Sequence, residues 1–232
     1  MITVYALMYN ESLMLPYFLR HYRSMFPDCK IILYDNESTD NSVEIALSWA
    51  NVEIRTYKTG NKLSDQTYLD LKNNIWKRAE TDWVLIADID EHLQITQEQL
   101  KSESNCSIIK AHGFNMVNHQ DNFDIDSITK FVRAPSYDKY YLFNKSKITD
   151  INYLPGCHRA DPKGVVIFSK NIYPCRHYKY INVDYIIERH ALFAARMSDD
   201  NKKRGWGVHY ENSPEEIRKE FEMARTRSLK HF

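Results

Sequence analysis

Short apolar runs alternate with amphipathic stretches through the first ninety-odd residues of the chain. The runs at 2–8, 30–34, 52–57 and 83–88 are rich in Ile, Val, Leu and Tyr, as strands buried in a sheet require. Between them, 12–25, 41–50 and 66–79 space their apolar residues as helices do. Strands that alternate with helices predict parallel pairing in an α/β layer structure. Ser38, Thr39 or Asp40 would cap the second helix by accepting hydrogen bonds from its first free N–H groups.

The pattern changes further on. A short helix near 96–103 precedes a strand over 107–116. Residues 128–178 then hold short β-rich pieces at 130–133, 140–144, 165–169 and 173–177, broken by turns. The tail reads as helix over 183–197, a polar gap, then helix over 214–229, where Pro214 after Ser213 is a start signal. No repeat or low-complexity segment interrupts this order. At 232 residues the chain suffices for one α/β domain with a full core. The reading is one domain in three parts: 1–95, 105–180 and a helical tail over 181–232.

The residues that follow the apolar runs carry the chemistry. The fourth run leads into Asp88 and Asp90, two carboxylates one residue apart, with Glu91 next. At the carboxyl end of a sheet strand, that spacing lets both face the crevice where α/β proteins bind ligands. Hard oxygen ligands there suit Mg²⁺ or Mn²⁺, which bind through one or two carboxylates plus substrate phosphates. Asp-X-Asp by itself is common and also describes a strand ending in solvated acids. Here the first run ends in Asn10-Glu11, and the second runs into Asp35-Asn-Glu-Ser-Thr-Asp40. Three strand-to-acid junctions imply one polar crevice lined from several strand ends.

Taken in order, Asn10-Glu11, Asp35 to Asp40 and Asp88-Ile-Asp-Glu91 resemble the family 2 type glycosyltransferases with a GT-A fold. The later Cys175-Arg-His-Tyr178 narrows the likeness to a compact Asp-X-Asp-Glu subgroup. The resemblance implies a mostly parallel central sheet flanked by helices, a smaller β-rich acceptor part and C-terminal helices. Residues 1–95 would bind a nucleotide-sugar donor, UDP-linked by family habit, and 105–180 a glycan or glycolipid acceptor, with inversion at the sugar. Asp90, with Asp88, would hold Mn²⁺ or Mg²⁺, and His177 would complete the metal shell. Asp35 would sit near the base, and Asn10, Glu11, Lys62 and Gln66 on the donor side. Three residues compete for the base that activates the acceptor hydroxyl: Asp161, narrowly ahead, His158, and Glu91, which beside the metal pair could instead hold loop geometry.

The stretch 202–207, Lys-Lys-Arg-Gly-Trp-Gly, reads either as a linker or as a mobile basic loop. In the second reading Arg204 closes on the donor diphosphate and Trp206 covers the sugar.

Other classes fit less well. Haloacid-dehalogenase-type phosphatases also use two acids one residue apart, but after the first strand and with Thr or Val two places later, where this chain has His92. Residues 35–46 fail as an EF-hand loop, with Asp40 at the glycine position and Ala46 at the glutamate position. A catalytically inactive sugar-nucleotide or metal-binding module keeps every motif and stays open.

Composition sets bounds on partners. With 31 basic and 31 acidic residues, no bulk field favours nucleic acid or an anionic membrane. Aromatics reach 13%, mostly for the core, with some free to stack on sugars. Cys29, Cys106, Cys157 and Cys175 lack zinc-site spacing, and neither a signal peptide nor an 18-residue apolar run is seen. The expectation is a cytoplasmic protein with reduced thiols, peripheral membrane contact being left open.

Overall fold

The computed structural model describes residues 1–103, 105–120 and 123–230, Lys230 by its backbone alone. Strands β1 (Ile2–Met8), β2 (Lys30–Asp35), β3 (Val52–Thr56) and β4 (Trp83–Ile86) pair in parallel in the order β4-β1-β2-β3. The crossovers are α1 (Leu15–Met25), α2 (Ser42–Leu47) and α3 (Asp65–Asn74), the last continued by a 3₁₀ turn over Ile75–Arg78. All seven residues of β1 are buried, which is why its sequence shows no alternation. On α1, Leu15, Phe18, Leu19 and Tyr22 form one apolar stripe against the sheet.

Beyond β4 the pairing is mixed. β5 (Glu91–Leu93), α4 (Gln97–Ser102), β6 (Ile108–Val117), β7 (Lys130–Arg133) and β8 (Leu142–Asn144) follow in the chain. β8 runs antiparallel to β4 and carries the sheet on to β6 and β7. β9 (Ile148–Asp150) and β10 (Lys163–Gly164) make a separate two-stranded ladder.

β11 (Phe168–Tyr180) lies parallel to β6 and antiparallel to β5. It replaces the two separate pieces expected at 165–169 and 173–177. Its register against β6 shifts after Phe168, where the polar Lys170-Asn171 pair made the sequence look like a turn. The Glu103 carboxylate fills that irregularity, accepting from the Lys170 and Asn171 N–H groups and from the Tyr173 hydroxyl.

The tail contains α5 (Val183–Arg196), α6 (Asp199–Arg204), α7 (Pro214–Arg227) and β12 (Leu229–Lys230), which pairs with β7. α7 buries Ile217, Phe221 and Ala224 against Ile186, Val117 and Tyr180. The expected polar gap is thus corrected at its start: residues 202–204 are helical rather than loop. Ser198 caps α6 by accepting from the Asn201 N–H, and Gly205 ends it at a φ of 67°. Acids in its first turn and cations in its last suit the helix dipole, a signal carried by charge with no apolar periodicity.

Candidate active-site cleft

A cleft of about 290 Å³ opens at the carboxyl ends of β1 and β4. It is floored by Asp88 and Asp90, which follow β4, and bounded by α3, by the 135–139 and 156–158 turns, and by the tail. Five of the residues proposed for metal or catalysis line it, namely Asp88, Asp90, Glu91, His158 and His177, and so does Glu11.

Asp88 is held by two lysines. Lys72 Nζ of α3 lies 2.5 Å from Oδ1, and Lys139 Nζ lies 3.5 Å from Oδ2. Both ammonium groups are buried, which would favour losing their protons, yet the carboxylates facing them outweigh this and raise their pKa. Burial pushes the Asp88 carboxyl up, but the two lysines overcome it and hold the group well below the usual carboxylate range. Glu91 completes the cluster: Oε1 lies 2.5 Å from Lys139 Nζ, and Oε2 accepts from the Asp88 N–H at 3.0 Å. With both oxygens engaged and the side chain buried, Glu91 fixes the loop between the acids.

Asp90 faces a different partner. Its Oδ2 lies 3.3 Å from His177 Nε2, while His177 Nδ1 contacts Asn115 Oδ1 at 2.7 Å. Since that amide oxygen only accepts, Nδ1 carries the proton, and the Nε2 lone pair then points at a carboxylate. Two acceptors facing each other call for a cation, either a proton on the ring or a metal ion between them. Register puts this pair in place, because β11 sets His177 opposite Asn115 of β6 and opposite Glu91 of β5. Tyr137 stacks on the imidazole with centroids 3.9 Å apart, in space that Gly113 leaves open: a Cβ there would lie 2.2 Å from Tyr137 Cβ. The Asp90 and His177 donor set fits a divalent ion that takes its remaining ligands from phosphate and water. Among the described residues lining the cleft, five carboxylates face three fixed cations, so added positive charge is favoured. No group of three or more His, Cys, Asp or Glu suited to a metal occurs among the described residues, so substrate oxygens would have to complete the shell.

His158 lies close by, its ring centroid 5.1 Å from that of Tyr137, which stacks on His177. Its Nδ1 donates to the Ser136 carbonyl at 2.9 Å, leaving Nε2 as the free acceptor. Burial, and then the Lys139 charge, lower its pKa, so the ring is neutral at pH 7. In the turn before it Gly156 takes a φ of 76°, which glycine adopts freely, and Cys157 a left-handed φ of 56°. Glu11 pairs with Arg189, and burial outweighs that partner, pushing its carboxyl up to about 7.

Other residues singled out from the sequence lie elsewhere. Asp161 is exposed, paired with Lys163 at 2.7 Å and outside the cleft. Asp35 is buried and accepts from the Ser38 N–H with both oxygens, while Asn10 bonds Thr39 through its side chain. Asp35 thus closes the turn after β2, and Asn10 stitches the turn after β1 to it. Gln66 bonds Asp70 along α3, and Lys62 is exposed. Arg204 pairs with Asp200 and stacks on Trp206, away from the cleft.

The cleft also holds residues absent from the sequence reading. Asp65, Tyr68, Leu69 and Lys72 project from one face of α3, a helical spacing that was visible beforehand. Lys139, Tyr137, Arg189, Phe193, His209 and Tyr210 carried no such signal, since they come from a turn between β7 and β8 and from the tail. Asn201 ties that tail to α3 by accepting from the Asp65 N–H at 3.0 Å.

Residues 3–102 match the family model described as glycosyl transferase family 2. The sheet order of β1 to β4 and the acid pair at the end of β4 lie within that matched stretch and accord with its description. Among solved structures, the chain is similar to TarS 1-349 of S. aureus in complex with UDP-GlcNAc, at 14% identity and a TM-score of 0.46, over 84% of this chain and 66% of that one. It is similar to the mannosyltransferase PcManGT of Pyrobaculum calidifontis in complex with GDP-Man and Mn²⁺, at 15% identity and 0.36, over 47% and 34%. The galactosyltransferase LgtC in complex with donor and acceptor sugar analogs gives 16% and 0.37, over 62% and 58%. The chain therefore spans less than two thirds of the length of each of these proteins. No relative was found among curated protein sequences.

Proposed function

We propose that the chain transfers a sugar from a nucleoside-diphosphate donor to a hydroxyl acceptor, assisted by Mn²⁺ or Mg²⁺. The observation that carries this reading is the Asp90 and His177 pair lining one cleft with His158, whose Nε2 is left free. When bound, the ion would supply charge that neutralises the departing diphosphate. Asp90 and His177 would hold it. Lys72 and Lys139 keep Asp88 ionised and fixed, so that its carboxylate can accept from donor hydroxyls without reorganising. The alternation of 1–95 supplies the donor side. Tyr137 and the tail residues Phe193, His209 and Tyr210 add aromatic wall against which a sugar ring can lie. His158 Nε2 would take the acceptor proton, in place of Asp161, which lies outside the cleft. A UDP-linked donor and inversion are the family's habit and are proposed here on that ground.

The deciding experiment is turnover of a panel of UDP-, GDP- and dTDP-sugars, with and without Mn²⁺. Metal-dependent release of nucleoside diphosphate from one donor supports the reading, and Asp90→Asn should lower it by at least about a hundredfold. Donor binding without turnover, even with a range of hydroxyl acceptors, would instead indicate an inactive sugar-nucleotide binder.

A further inference from the structure

Four consecutive apolar side chains, Val165, Val166, Ile167 and Phe168, stand exposed where β11 begins. With Leu154 and Ile172 they are between 38% and 56% accessible, whereas the apolar runs of β1 and β4 are largely buried. A contiguous exposed apolar run of this kind marks a surface that meets something. Its rim is basic. Arg159, Lys163 and Lys170 are exposed, and the one acid between 154 and 172, Asp161, pairs with Lys163, so the stretch keeps a positive excess through Arg159 and Lys170. Lys110 Nζ reaches the Lys170 carbonyl at 3.4 Å and adds an ammonium to the same edge.

The patch adjoins the cleft. The Phe168 ring packs on Tyr140 with centroids 5.4 Å apart, and the Tyr140 carbonyl accepts from the Tyr153 hydroxyl at 2.6 Å. Leu154 follows, and the next turn carries His158 to the cleft wall.

We infer that this face docks on a bilayer containing anionic phospholipid, Val165 to Phe168 entering the interface while Arg159, Lys163 and Lys170 meet the headgroups. Apolar insertion and electrostatic attraction then act together, as peripheral binding requires. The whole chain is neutral, so the attraction is local. In combination with the glycosyl-transfer reading, on which this last step rests, the cleft would be brought to acceptors held at a membrane surface.

Cosedimentation with vesicles tests it, using phosphatidylcholine alone and phosphatidylcholine with phosphatidylglycerol. The wild-type chain should bind the anionic vesicles and release them at high salt. The double variant Val165→Asp/Ile167→Asp should lose about tenfold or more in partitioning, and Lys163→Gln/Lys170→Gln should lose the preference for anionic lipid. A second apolar variant, Val166→Ser/Ile172→Ser, guards against misfolding of the first, with circular dichroism confirming the fold of each. Absence of binding to either vesicle, unaltered binding of both apolar variants, or a dimer in sedimentation velocity that these variants dissolve without any vesicle binding would each overturn the inference. The assay uses no sugar nucleotide, so failure of the transfer reading would leave its result intact.

Discussion

His158 and Asp161 stand three residues apart in sequence, yet only one of them lines the cleft. The choice between them follows from hydrogen bonding, since the Ser136 carbonyl orients the imidazole while Lys163 holds the carboxylate in solvent. His158→Ala is therefore expected to lower kcat by about 10²- to 10⁴-fold with little change in donor affinity, and Asp161→Ala to leave both near wild type. A base must be unprotonated, and the His158 pKa is lowered, so kcat/KM should stay level as pH falls to 6.5 and decline only below it. A second pair of histidines predicts a stability effect. His21 and His92 stack with centroids 4.7 Å apart, and burial lowers both, His21 to about 4. Between pH 6.5 and 4 the unfolded chain binds more protons than the folded one, so stability must fall as pH falls through that window. His21→Gln, which keeps a donor for the Leu93 carbonyl, should flatten the fall in Tm between pH 6.5 and 4.5. An equal slope in the variant would remove His21 as its source.

At the scale of elements, β11 and β6 decide whether Asp90 has a partner at all. Their register sets His177 beside Asn115, and Gly113 two residues earlier admits the turn that stacks Tyr137 on the imidazole. Gly113→Ala would force that turn's backbone outward, because its Cβ would also lie 2.7 Å from the Tyr137 carbonyl carbon and 2.8 Å from the Ala134 carbonyl oxygen. Overpacking of this kind should cost about 1–3 kcal/mol by denaturant unfolding. Mn²⁺ affinity, read by isothermal titration with nucleoside diphosphate present, should weaken along with it. Weakened stability with unchanged Mn²⁺ affinity would show that Tyr137 does not position His177. The helices α1, α2 and α3 and strands β1 to β4 were all legible beforehand, the helices by their apolar spacing and the strands as unbroken apolar runs. β5, β9 and β12 were not, being two or three residues long with no room for one.

For the molecule as a whole, the tail is part of the cleft. Leu63 bonds both Arg196 and Ser198 through its backbone, and Asn201 accepts from the Asp65 N–H, so the start of α3 is tied to α6. Asn201→Ala should cost about 1–3 kcal/mol, since the Asp65 N–H then loses its partner. Because His209 and Tyr210 follow on the same segment, the variant should raise the KM for donor more than it lowers kcat. A stable variant with an unaltered KM would separate the tail from donor binding.

The sequence by itself determined the α/β order of the first half, the acids at the ends of β1, β2 and β4, and the family that these motifs resemble. It could do so because buried strands appear as apolar runs and amphipathic helices as a local period, and because the acids follow directly on the strands that place them. The resemblance also brought His177 to Asp90, but tertiary structure alone decided the register that does so, that Lys72 and Lys139 engage Asp88, that His158 lines the cleft and Asp161 does not, and that the tail borders it. Those partners lie 16 to 87 positions apart along the chain, on elements whose register no local pattern encodes.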